Sequence, residues 1–102
     1  MDVGGRVPHL ATDGHSVVMS WLEPGACDDF RLRYAEWQPT QGWGRPVEVA
    51  SGKDWFINWA DFPSVVASGN GTLFAHWLQR RPGGKYSYDV MITRSADSGR
   101  TW

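Results

Sequence analysis

The sequence predicts an all-β chain built from short antiparallel strands. Three observations lead there. Apolar and β-branched runs such as Val17-Val18-Met19-Ser20-Trp21-Leu22 and Thr72-Leu73-Phe74-Ala75-His76-Trp77-Leu78 have no helical period, and no long stretch joins helical spacing to a cap. Turn signals fall between the runs. The composition agrees, with 12 Gly and 6 Pro beside 7 Trp in 102 residues. Gly and Pro at that level supply tight turns, and disordered chains are poor in aromatics.

The elements follow in order. A first strand is expected over residues 7–12, ended by Asp13-Gly14. A second, over 16–23, is apolar on both faces and so asks for cover on both sides. Pro24-Gly25 closes it. The third, over 30–37, alternates, with Phe30, Leu32 and Tyr34 on one face. Gly42 to Gly44 turn the chain into a fourth strand over 45–50. A second series follows over 63–68, 72–79 and 86–95, separated by Gly69-Asn70-Gly71 and Pro82-Gly83-Gly84. In its last member Tyr86, Tyr88, Val90 and Ile92 share a face. Asn70-Gly71-Thr72 matches a glycosylation sequon, but Asn-Gly is also a favoured hairpin turn and is read as one.

The two series repeat each other. Pro8-His9-Leu10 to Trp21-Leu22-Glu23 parallels Pro63-Ser64-Val65 to Trp77-Leu78-Gln79, at an offset of roughly 55 residues. Four strands per repeat at about that length is the pattern of a β-propeller blade. The expected fold is therefore about two four-stranded antiparallel blades. Residues 1–53 form the first and 54–102 the second, which lacks its last strand.

Several function classes are disfavoured. The 10 Lys and Arg are balanced by 11 Asp and Glu, so bulk charge offers no grip on nucleic acid. No apolar run is long enough for a membrane span. Cys27 is the only cysteine, which leaves no internal disulfide and no thiol enzyme with an evident base. His9 and His15 show no metal-ligand spacing and His76 reads as a strand histidine, so neither metal nor cofactor is expected. Met1 to Gly5 carry no charged-then-apolar export segment, and the compartment stays open.

One motif is specific. Ser95-Ala96-Asp97-Ser98-Gly99-Arg100-Thr101-Trp102 matches the Asp-box S-x-D-x-G-x-T-W at every fixed position. Its Asp97 suits a turn that collects backbone N–H groups, and Gly99 suits a positive φ. The first repeat keeps only a degenerate copy, Trp37 to Trp43. The box resembles that of the sialidase-like propellers, where it joins the third and fourth strands of a blade and is structural. Arg6-Val7-Pro8-His9-Leu10 resembles the R-I-P segment of that family, whose Arg binds the sialic acid carboxylate. Asp28 or Asp29 falls near the family's acid/base Asp. Asp54 to Pro63 resembles a segment of uncharacterised bacterial sialidase-like proteins. The resemblance spans nearly the whole chain but only about the first third of such a protein, so it implies a fragment, inactive alone, of a parent that is often exported.

Strand parity sorts the loops. Successive turns alternate between the two ends of an antiparallel blade. One end is expected to collect Arg6, Asp28, Asp29, Asp54, Asn58, Asp61, Arg80, Arg81 and Lys85, with Trp55 and Trp59. The resemblance makes that end the ligand face, with Asp28 or Asp29 as acid/base and Arg6, Asn58, Asp61 and Arg80 as substrate contacts. Each also has a plainer role, in turns, solvated loops or inter-blade packing. The family nucleophile is a Tyr, yet Tyr34, Tyr86 and Tyr88 lie in outer strands. No second Arg precedes Asp28. The implied parent is a glycoside hydrolase of sialic-acid-type glycans. The alternative is a non-catalytic propeller that binds glycan or protein. Blades without neighbours are also expected to self-associate through apolar faces.

Overall fold

The computed structural model describes residues 6–25, 29–57, 62–82 and 87–102. They form two antiparallel sheets and no helix. Sheet 1 contains β1 (Arg6–Thr12), β2 (Val17–Pro24), β3 (Phe30–Gln38), β4 (Gly42–Trp43) and β5 (Val47–Gly52). Sheet 2 contains β6 (Ser64–Gly69), β7 (Thr72–Arg80) and β8 (Tyr88–Ser95), in that order. Tyr86, expected to open the last strand, lies outside the described residues.

Sheet 1 has four lanes rather than five. β4 pairs with Trp37 and Gln38, and β5 pairs with Phe30 to Tyr34, both on the same edge of β3. The single fourth strand expected over 45–50 is thus divided and shifted. Pro46 cannot donate to the ladder, and the break is bridged by Gly44 N–H donating to Glu36 O at 2.7 Å. Sheet 2 shows the same device. Residues 54–56 run beside the end of β7 in the lane that β6 occupies further on. Trp55 pairs with Gln79, Phe56 N–H donates to Leu78 O, and Arg80 N–H donates to Asp54 O.

The core lies between the sheets, where β6 packs on β1 and β2. Strand alternation explains its membership. Val18, Ser20 and Leu22 of β2 and Leu32 and Tyr34 of β3 face Val65 of β6 and Leu73 and Ala75 of β7. Ser20 is the polar residue of this set. Its hydroxyl is fully buried and accepts the Val65 N–H at 3.1 Å. The opposite face of sheet 1 is covered locally. Trp21 is buried there, its indole N–H donating to Glu23, which also pairs with Arg33 at 3.2 Å.

The far face of sheet 2 is different. Val66, Phe74, Tyr88, Val90 and Ile92 lie on it, and Ile92 is 71% exposed. The alternation read in the sequence is present. Leu78 shares this face and is buried, and Phe56 stacks on Tyr88 at that end, while Val66, Phe74, Val90 and Ile92 stay exposed.

Ser20→Ala leaves the Val65 N–H buried without a partner. We expect it to destabilise the chain by about 1–3 kcal/mol, read as a lower urea midpoint at unchanged m-value.

Candidate functional site

The best-defined polar structure is the turn after β8. Asp97 Oδ1 accepts the Thr101 N–H at 2.9 Å and the Ser95 hydroxyl at 2.8 Å, while Oδ2 accepts the Thr101 hydroxyl at 2.6 Å. Ser95 Oγ in turn accepts the Gly99 N–H at 2.8 Å. Ser98 and Gly99 both have positive φ, 60° and 88°. The turn is seated on its neighbours. Ser98 N–H donates to Gly71 O at 2.9 Å, and Tyr34 of sheet 1 reaches across to Ser98 O at 3.4 Å. A Cβ at Gly99 would collide with the Tyr34 hydroxyl. The Trp102 ring meets Tyr34 edge-on, centroids 6.0 Å apart.

Electrostatics follows from these bonds. The Thr101 hydroxyl, the Thr101 N–H and the Ser95 hydroxyl hold the Asp97 carboxyl down at about 2. A carboxyl so committed is a poor proton donor near neutrality. Tyr34 is pushed the other way, by burial first and then by Glu36 and Asp97, the opposite of what a tyrosine nucleophile needs.

The far end of the sheets carries the other candidates. Asp29 closes the β2–β3 loop, its carbonyl accepting Gly25 N–H at 2.7 Å. Asp29 Oδ1 is buried and makes no hydrogen bond among the described residues. Nearby, Phe30, Asp54, Trp55, Ile57 and Arg80 line a cavity of about 340 Å³. Trp55 is core rather than an exposed platform, stacked on Trp77 at 5.4 Å and 22°. Arg80 lies over the Phe56 ring at 5.2 Å, and Phe56 stacks on Tyr88 at 5.0 Å and 8°. Arg81 is engaged by Asp89 Oδ1, with Nε at 2.9 Å.

Strand parity therefore gathers Asp29, Asp54 and Arg80 at one end. Arg6 enters at that end of β1, opposite Leu22, beyond a bulge at which the β-branched Val7 has φ 45°; its side chain lies outside the described residues. So do Asp28, Asn58, Asp61, Trp59, Cys27 and Lys85.

A second cavity, of about 290 Å³, opens between the sheets at the end holding the box turn. Asp13, Tyr34, Glu36, Gln38, Gln41 and Arg45 are among its polar lining. Sequence reasoning missed it because it assigned ligands to the other end. The available signal was the polar run Glu36, Gln38 and Gln41 beside a Gly-Trp-Gly turn.

Among the described residues no group of three His, Cys, Asp or Glu could hold a metal ion, and no helix is long and apolar enough to cross a membrane. No family model, curated protein or solved structure matches the chain.

The Asp97 bonds set a pH dependence. Its folded value, about 2, lies below the ordinary carboxyl value of 3.8, so the contribution is complete above 3.8 and is lost as pH falls through 2. We expect the urea midpoint of the wild type to drop across that window by more than that of Asp97→Asn, which lacks the titrating group.

Proposed function

We propose that the two stacked sheets are consecutive blades of a sialidase-like Asp-box propeller, sheet 1 from residues 1–53 and sheet 2 from 54–102. Its ligand face is the end that carries Asp29, Asp54 and Arg80. The observation that carries this reading is the Asp97 hydrogen-bond set, which uses every fixed polar position of the motif and rests on the adjacent sheet through Tyr34.

The chemistry on that face would be glycan recognition. Arg6 offers a planar fork to the carboxylate of a sialic-acid-type sugar. Asp28 or Asp29 protonates the glycosidic oxygen in the parent enzyme. Asp29 supports this with a buried oxygen that has no hydrogen-bond partner among the described residues. Asn58, Asp61 and Arg80 complete the contacts. We expect no turnover by this chain alone: of the described tyrosines, Tyr34 faces the box turn and Tyr88 is stacked on Phe56.

One observation favours the alternative, a propeller that binds glycan without catalysis. Among the described residues at this end, Arg81 is already engaged by Asp89, and Arg80 alone offers a guanidinium to the cavity. Carboxylate capture in the sialidase-like pocket relies on several arginines.

Titration with 3′-sialyllactose, read by amide chemical shifts, tests the ligand face. We expect millimolar binding, no hydrolysis, and at least a tenfold loss in Arg80→Ala, about 1.4 kcal/mol. Binding indifferent to Arg80→Ala and Asp29→Asn overturns the assignment.

The blade reading also gives the far face of sheet 2 a purpose, as a seat for a neighbouring blade. The chain by itself should then self-associate through Val66, Phe74, Val90 and Ile92. Sedimentation velocity should show Ile92→Lys shifted toward monomer; a wild type that is strictly monomeric at high concentration removes this support.

A further inference from the structure

The groove between the sheets at the box-turn end has two unlike walls. Sheet 1 supplies polar groups. Tyr34, Glu36 and Gln38 alternate along β3 and so face the same way, and Arg45 and Gln41 stand at the rim. Sheet 2 supplies Ala67 and Leu73 with the bare backbone of Gly69, while Gly71 is covered by Ser98, which lines the groove with Thr72. Gly69 has φ 93°, and a Cβ there would meet nothing within 4 Å. That wall is open to close approach by a ligand. Trp43, paired with Trp37 in the β3–β4 ladder, and Val47 also line the groove from sheet 1.

The polar wall is partly fixed and partly free. Glu36 is held in place, Oε2 accepting the Ser16 hydroxyl at 3.2 Å and Oε1 accepting the Gln38 amide at 3.3 Å. A carboxylate has about four lone-pair positions, so Glu36 retains acceptor capacity. Gln38 keeps its carbonyl oxygen and one amide hydrogen, and Arg45 makes no hydrogen bond or ion pair within the described chain. The open set therefore contains both donors and acceptors. Asp13 and Glu36 outnumber Arg45, which disfavours an anion.

We propose that this groove binds one neutral hexose unit of a glycan. A sugar ring has an apolar C–H face and a rim of hydroxyls that both donate and accept. The first fits the Ala67, Leu73 and Gly69 wall, the second Glu36, Gln38, Gln41 and Arg45. The volume, about 290 Å³, is near the ~300 Å³ lower limit of small-molecule pockets, which suits a single ring. The site is independent of the ligand face proposed above and lies at the opposite end of the strands. It takes a neutral sugar where that face takes an acidic one.

The test is titration of the full chain with lactose and, separately, cellobiose, followed by amide chemical shifts. At least one is expected to bind in the millimolar range, shifting the Gln38 and Gln41 side-chain amides and the backbone of Gly69 and Gly71. Gln38→Ala and Arg45→Ala alter exposed residues, and each should weaken binding several-fold while the Asp97 and Thr101 amides stay at their wild-type positions. Arg81→Ala, at the far end, should leave the lactose shifts in place. Shifts confined to the Arg80 end, no shifts with either sugar, or binding indifferent to both groove variants would each overturn the proposal. The sialyllactose experiment with Arg80→Ala decides the other face separately.

Discussion

A fully buried hydroxyl on β2 ties sheet 1 to β6 of sheet 2. Ser20 sits on β2 among Val18, Leu22 and Leu32, where an apolar residue would pack as well. What it adds is an acceptor for the Val65 N–H on β6. Buried backbone donors are rarely left unpaired, so the serine fixes where β6 can lie. That placement bears on the distance across which Tyr34 of sheet 1 meets the box turn of sheet 2.

Much of the fold was legible in the sequence because its signals are local. Alternation and β-branching mark strands wherever they occur, and Asn70-Gly71 or Asp13-Gly14 mark turns without help from distant residues. Strand parity then placed Asp29, Asp54 and Arg80 at one end, a consequence of antiparallel pairing rather than of any side chain. The division of the fourth lane into β4 and β5 was not legible. It depends on Pro46 meeting a ladder position that needs an N–H, and on Glu36 lending its carbonyl to Gly44, both of which require the register of β3.

The candidate residues were legible in type but not in state. Trp55 was readable as packing between blades more readily than as a sugar platform, and its burial against Trp77 shows that it is core. Arg80 and Arg81 are adjacent in sequence, yet alternation sends them to opposite sides. One lies over an aromatic ring and the other is engaged by Asp89. The groove at the box-turn end is assembled from both sheets, so no local window contains it. Its polar wall comes from β3 and its apolar wall from the β6–β7 hairpin.

The contact between Gly99 and Tyr34 binds two distant positions into one evolutionary locus. Any side chain at 99 strikes the phenol, and the positive φ there penalises a replacement even after the ring is gone. Change at this pair therefore has a forced order. Position 34 must shrink first, at the expense of the edge contact with Trp102, before position 99 can vary at all. Drift along that route is slow, so this corner of the sheet interface should retain its residue identities long after the surrounding loops have diverged.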